Sequence, residues 1–472
     1  MRSRLAVPAI ALAVVVLGAT PAAPAPTAPR SFTIAAAGDI IPHEMLVDAG
    51  NAYLPGPGWD FTPMMTDIEP WVAEADLAIC HMEGTLSATN TGLSGYPRFV
   101  GPREMADAIA AAGWDTCSTA GNHALDAGWK GIVDTLEVLE DAGLGHAGTA
   151  RTPEERLPSL YEVNGVTVGH LSYSYGTNGL PVPSDRPWAI NLIDADAILT
   201  DAAWARDHGS EFTVVSLQWG VELFVPATPA QEALAETLLA SDDVDLILGH
   251  HAHVVQPIDR IGDKYVVYGM GNHLSNQSST RWGPAFYGTE DGLMVRVRVS
   301  ERDDGSFAVD GIDITPTWVQ WGTYRVFSTT DALLTGAAPR AAVEASLART
   351  LARALALDPA GVAPSESPWP EVSCDGTRAT IVGTVGDDVI AGTKGGDVIA
   401  ARGGVDRVDA GAGSDVVCGG DGDDQLTGGP GRDVVLGGSG NDVLVGDPRD
   451  VLLGGTGHDR CSQAALLREC ER

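Results

Sequence analysis

The 472-residue chain predicts two folds in series, an α/β domain and then an all-β parallel β-roll of nonapeptide repeats. Three observations carry this. Short apolar runs alternate with helical spacings to about residue 330, the pattern of a sheet with crossover helices. Several of those runs end in metal-ligand residue types: Gly38-Asp39, Glu83, Gly121-Asn122-His123 and Gly249-His250-His251-Ala252-His253. From Gly383 onward the chain repeats every nine residues, with Gly, Asp and an aliphatic residue in fixed places.

Residues 1–25 carry Arg2 and Arg4, an apolar run over 5–18 and then small residues, the layout of a secretory signal. An uncleaved anchor is the alternative, for which the run is short. The Pro/Ala stretch 26–30 is a tether with no core of its own. Together with six cysteines, this predicts a secreted or cell-surface protein in an oxidising compartment. Sequence leaves the disulfide pairing open: Cys374 with Cys418 and Cys461 with Cys470 are preferred, while Cys80 and Cys117 fit buried free thiols equally well.

Residues 31–37 form an apolar strand expected to end at Gly38-Asp39, placing a carboxylate where open α/β sheets hold their ligand chemistry. His43 follows. A helix is expected near 62–75, and a strand over 77–80 leads to Glu83. Helical spacing over 102–112 stops at Gly113, and a third strand over 115–120 leads into Asn122, His123 and Asp126. The amide oxygen of Asn122 can serve a metal without adding charge, while His123 points elsewhere, toward substrate. A helix starting there would place Asp126 one turn on, where it orients the imidazole.

Further along, Asn164-Gly165 marks a hairpin, 194–207 a helix, and 212–217 a buried strand ending at Gln218-Trp219-Gly220-Val221-Glu222. Thr228 caps a helix to about 239. The strand over 246–248 is apolar on both faces, and Gly249 is expected to turn the backbone toward the histidines. His251 and His253 can converge on neighbouring cations while their other ring nitrogens take supporting partners. Antiparallel strands over 258–268 and 293–314 turn at Gly262-Asp263 and Asp304-Gly305. An alanine-rich helix over 341–357 and a Pro/Ser linker over 364–370 close this part.

The charge balance of 29 Lys+Arg against 63 Asp+Glu, a formal net charge of -34, offers no basic stripe for phosphates and excludes a nucleic-acid partner. Cations are the partners it favours. In the repeats, Asp388, Asp397, Asp406, Asp415, Asp424, Asp433 and Asp442 recur every nine residues, and Asp450 and Asp459 continue after a one-residue slip near Pro448. Two nonapeptides per coil would stack alternate aspartates about 4.8 Å apart. Unit charges that close repel by about 3 kcal/mol at an effective dielectric near 20, so the columns require a cation, and oxygen-only ligands select calcium. The segment 383–461 resembles the calcium-binding RTX repeats, whose nonapeptide it shares.

Taken in order, Gly38-Asp39, Glu83, Gly121-Asn122-His123 with Asp126, Trp219-Gly220 with Glu222, and Gly249-His250-His251-Ala252-His253 resemble the CapA-type poly-gamma-glutamate capsule synthesis family, a branch of the calcineurin-like metallophosphoesterases. The resemblance spans about residues 31–330 and implies an α/β/β/α sandwich. It implies that Asp39 and His253 serve one metal, Glu83 bridges, Asn122 and His251 serve a second, and His123 with Asp126 is catalytic. Two departures stand out. Ile41 occupies the place of a histidine two residues after the first aspartate, leaving His43 as an offset substitute, and Gln218 stands where histidine is common. A glutamine oxygen is the weaker ligand for a transition metal, so the centre holds one or two ions of manganese, iron or zinc. Trp219, Glu222, His250, Asn272 and His273 are assigned to the substrate side, with a structural role as the alternative for His273. The expected layout is a signal over 1–25, a tether over 26–30, the metal domain over 31–330, a helical extension over 331–360, a linker over 361–373 and the β-roll over 374–472. The implied activity is metal-dependent hydrolysis of a phosphoester; a non-catalytic factor binding an anionic polymer and an amide hydrolase acting on poly-gamma-glutamate are the alternatives.

Overall fold

The computed structural model describes residues 29–470 apart from 336, 366–372, 376, 384–385 and 469. The expected signal, most of the tether and most of the linker lie outside these. Two sheets face each other. The larger runs Val326–Ser328, Phe307–Val319, Asp291–Glu301, Ser31–Ile40, Leu77–Met82, Thr116–Ser118, Gly145–Ala147. The smaller runs Ile258–Ile261, Lys264–Val267, Leu246–His250, Phe212–Gln218, Val166–Ser174, Ser159–Val163. Phe32, Ile34, Val214, Leu246 and Leu248 meet between them in one apolar cluster. Helices cover the outer faces: Phe61, Met65, Met105 and Ile109 pack on the larger sheet, and Ile198, Ala235 and Leu238 on the smaller. This is the α/β/β/α sandwich. Leu246 and Leu248 point into the inter-sheet core and Ile247 to the helix side, as the continuous apolar run requires.

Local signals decide several boundaries. Asn164 and Gly165, at φ 50° and 75°, make the predicted hairpin turn. Asp194 and Thr228 cap their helices, Thr228 in a reciprocal capping box with Gln231. The helix expected over 62–75 is instead three short pieces, Thr62–Met65, Thr66–Ile68 and Glu69–Ala73, because Pro70 supplies no N–H for a continuous ladder. The first strand does not stop before Asp39 but continues to Ile40 through a bulge between the two.

The helical extension is bolted to the first domain. Arg349, on the helix Arg340–Ala354, makes a two-pronged bond of 2.7 Å and 2.7 Å to the fully buried Asp291. Val362–Pro364, placed by sequence in the linker, pairs in parallel with Phe307–Val319. The first folded unit therefore runs to residue 364.

Residues from 381 onward wind into two parallel sheets, one of six strands and one of five. Up to Pro448 each strand pairs with the one eighteen residues later, as Val408 with Leu426. At Pro448 the spacing falls to seventeen, yet Val434 still meets Val451. The aliphatic repeat positions Ile399, Val408, Val417, Leu426, Val435, Leu444 and Leu452 stack inside as one core. Three disulfides form: Cys374–Cys418 and Cys461–Cys470 as preferred, and Cys80–Cys117 in place of free thiols, because those residues are register partners on adjacent strands.

Candidate metal centre

Asp39 and Glu83 leave neighbouring strands of the larger sheet, and His251 and His253 follow the strand Leu246–His250 of the smaller one, so the centre lies where the two sheets' carboxyl ends meet. Glycine permits the approach. A side chain at Gly38 would put a carbon 2.0 Å from the Gly271 carbonyl oxygen, and one at Gly249 would lie 2.0 Å from that of Tyr268. Gly249 does not make the turn, however. The strand continues to His250, and His251 and His253 themselves adopt φ of 88° and 55°. Left-handed backbone at two non-glycine residues is strain that the surrounding packing holds in place, and such strain gathers at functional sites.

Glu83, His251 and His253 each offer a ligand atom within 4.8 Å of the others, and all are buried. Asp39 sits beside them, its Oδ2 3.1 Å from His253 Nδ1 and 3.2 Å from the His251 N–H. Glu83 Oε2 and His251 Nδ1 are buried without a hydrogen-bond partner, and Asp39 Oδ1 faces His250 Nδ1 at 3.3 Å. Burial pushes the Glu83 carboxyl up to about 7, although the His253 charge opposes this. Burial also opposes protonation of His253, but Glu83 and Asp39 outweigh it and raise the imidazole to about 10. His251 is driven down to about 3 by burial and by the His253 charge. A neutral imidazole, two carboxylates and unpartnered buried donor atoms make a set suited to a divalent cation.

At the rim, His123 and Asp126 form a pair. His123 Nδ1 lies 2.6 Å from Asp126 Oδ2, although residues 122–127 are turns and the helix starts only at Gly128. Asn122 and Gln218 bond to each other: Gln218 Nε2 donates to Asn122 Oδ1 at 2.6 Å, and Gln218 Oε1 accepts from the Asn122 N–H at 2.8 Å. Gln218 thus clamps Asn122, and its own oxygen accepts from backbone and from Ser174. His43 packs edge-on to Phe99 and takes a long bond from the Asn276 N–H, outside the converging groups.

Four of the five residues expected on the substrate side lie inside. Trp219 is buried against Tyr268 and donates to its carbonyl. His250 stacks on His81 at 4.1 Å. His273 meets the edge of Trp114. Asn272 bonds His253 Nδ1 at 3.1 Å and so orients a ligand residue. Their small or aromatic neighbours give no sequence sign of this burial. Glu222 is exposed as expected, and its charge acts on Glu83, His253 and Tyr175. Sequence reasoning missed Asn178 and Tyr175. Asn178 Nδ2 lies 3.3 Å from His123 Nε2, its Oδ1 accepts from Asn122, and Tyr175 packs on His251 at 4.4 Å. The Asn178-Gly179 turn, with φ 51° and 74°, was the available signal.

In the roll, Oδ1 of each repeat aspartate accepts the N–H of the aspartate one coil earlier: Asp388 to Asp406, Asp397 to Asp415, Asp406 to Asp424, Asp415 to Asp433 and Asp424 to Asp442, at 2.7–2.9 Å. Across the slip, Asp433 and Asp442 do the same with Asp450 and Asp459. Half of each carboxylate is therefore already answered by backbone. Oδ2 of Asp406, Asp415, Asp424, Asp433, Asp442 and Asp459 remains buried and unpartnered, which is what a cation would satisfy. Asp397 Oδ2 is instead filled by Thr393, and Asp450 Oδ2 by the Asp447 N–H.

The facing sheets, with Asp, Glu, Asn and His side chains where their strands end, form an α/β/β/α sandwich that carries a candidate metal centre. The chain belongs to the bacterial capsule synthesis protein PGA_cap family, whose model matches residues 33–277. Residues 382–417 and 419–448 match the RTX calcium-binding nonapeptide repeat. The chain is 29% identical over 225 residues to the capsule biosynthesis protein CapA of Bacillus anthracis, covering 47% of this chain and 51% of that protein. It is 28% identical over 200 residues to the PGA biosynthesis protein CapA of Bacillus subtilis, covering 42% and 50%. The chain thus spans about half the length of these relatives. The calcineurin-like phosphoesterase YfkN from Bacillus subtilis superposes with a TM-score of 0.37 at 13% identity, covering 61% of this chain and 91% of that one.

Proposed function

We propose that this chain is a secreted or cell-surface hydrolase of the capsule-synthesis type, acting on a phosphoester or on an anionic polymer such as poly-gamma-glutamate, with a calcium-folded tail. The observation that carries the reading is the convergence of Glu83, His251 and His253 beside Asp39, with the His123–Asp126 pair at the rim. Glu83, His251, His253 and Asp39 would hold manganese, iron or zinc; when bound, the ion supplies a Lewis acid to the phosphoryl or carbonyl oxygen. Asp126 holds the proton of His123 on Nδ1 and fixes the ring. Nε2, beside Asn178, is the atom from which His123 delivers a proton to the departing oxygen. Asn178 and Tyr175 bound the space in which the substrate sits. The capsule and PGA biosynthesis proteins among the relatives support the polymer, and the calcium repeats support an extracellular setting.

A binding role without catalysis is the second reading. The Asn122–Gln218 clamp favours it, because the amide oxygen meant for a second ion is already engaged. The test is metal analysis of the full-length protein in calcium, followed by phosphomonoester, phosphodiester and poly-gamma-glutamate assays. Stoichiometric metal with turnover that is abolished in His123→Ala supports hydrolysis. Metal and polymer binding without turnover supports the second reading, and absence of metal overturns the centre.

A further inference from the structure

Away from the metal centre, a cavity of about 330 Å³ opens between the segment 182–192, the end of the strand Val166–Ser174 and Arg156. That is the room of roughly ten waters at ~30 Å³ each. Val182, Pro187, Ile190 and Leu192 give it apolar walls, and Arg156, Tyr173 and Asn191 converge on it. Asn191 also lines a narrower cleft behind. Its Oδ1 is buried and without a partner, an acceptor that nothing in the fold answers. Asn191 is held there by backbone: its carbonyl accepts from Ser174 and its N–H donates to Gly148. Arg156 is fixed by Asp201, which it grips at 2.8 Å and 3.3 Å and which also accepts the Tyr173 hydroxyl. Asp201 uses two of the five guanidinium N–H groups, and the Arg156 side chain keeps 30% of its surface open.

The cavity therefore combines the spare donors of Arg156, the Asn191 side chain in its wall with an unanswered Oδ1, and apolar surface between. We propose that it binds a carboxylate bearing an amide or amine N–H close by, the chemistry of an amino-acid or peptide terminus with an apolar body. The carboxylate would bond Arg156, and the N–H would bond Asn191 Oδ1. A bare carboxylate would bury Asn191 Oδ1 still unanswered, and an amide without a carboxylate would leave Arg156 unused, so both are rejected. This site is independent of the hydrolytic reading and draws on none of its residues.

The probe is N-acetyl-L-leucine, titrated calorimetrically into the full-length protein in millimolar calcium. Saturable one-to-one binding is expected, weakened about tenfold or more for 4-methylpentanoate, which lacks the N–H, and for L-leucinamide, which lacks the carboxylate. Ser184→Trp, a change at an exposed lining position, should abolish it, and so should Asn191→Leu, whereas His253→Ala should leave it intact. Equal affinity for the three compounds, or no saturable binding, overturns the proposal. Loss in His253→Ala with retention in Ser184→Trp also overturns it, since the carboxylate would then sit at the metal centre.

Discussion

A single oxygen of Asp126, Oδ2, lies 2.6 Å from His123 Nδ1 and accepts the backbone N–H of Phe99, also at 2.6 Å. The carboxylate thus ties the rim imidazole to the loop whose Phe99 ring packs against that same imidazole at 4.6 Å. Asp126→Asn should keep one acceptor but lose the negative charge beside the ring. Hydrolysis should fall by about 10²-fold or more, with a stability loss of about 1–3 kcal/mol for the weakened buried bonds. Turnover and urea melts on the same preparation check this; an unchanged rate would remove His123 from the chemistry.

His253→Ala is expected to strip the full-length protein of nearly all transition metal, because His253 contacts both Asp39 and Glu83. Elemental analysis measures this directly. His43→Ala should retain the metal, since His43 stands outside the converging groups.

Gln218 answers Asn122 twice and Ser174 once. Gln218→Ala should therefore destabilise the first domain by about 1–3 kcal/mol through unanswered buried groups, without removing metal from Glu83, His251 and His253. Gln218→His should cost similar stability yet add up to one metal equivalent, seen as a second binding step in calorimetry. A stability equal to that of the unaltered chain in both variants would refute the clamp.

Asp424 and Asp433 are each raised to about 6, first by burial and then by neighbouring aspartates. In the unfolded chain they titrate near 3.8. Protons thus favour the folded calcium-free roll: this contribution is complete below that value and lost as pH rises through about 6. In chelator, circular dichroism should show more roll structure at pH 4 than at pH 7.5, and calcium should abolish the difference. Replacing Asp406 and Asp424 together by Asn should raise the calcium midpoint, whereas Asp409→Asn, at an exposed position off the columns, should not. The same signal at both pH values without calcium would sink the coupling.

What sequence showed depended on how local each signal was. The roll was legible because its register, its inner aliphatics and its aspartate columns are one nine-residue rule, and even the slip at Pro448 only shortens a turn. At the metal centre, Asp39, Glu83, His251 and His253 were legible as polar residues following apolar runs. Their support was not. Gln218 meets Asn122 across 96 residues and Asn178 meets His123 across 55, and no local pattern encodes contacts that only the facing of two sheets creates. Trp219 misled for the same reason: it stands at a strand end among polar residues while its side chain turns into the core.

The bond between Cys374 and Cys418 has a mechanical consequence. It joins the point where the chain enters the roll to a strand 44 residues on, so tension arriving through the linker bypasses the coils between them and loads the solenoid at Cys418. Those first coils become a slack loop that force cannot pay out. Reduction would release about 150 Å of extra contour at ~3.5 Å per residue, making the disulfide a fixed limit on how far a tethered roll can be drawn from its anchor.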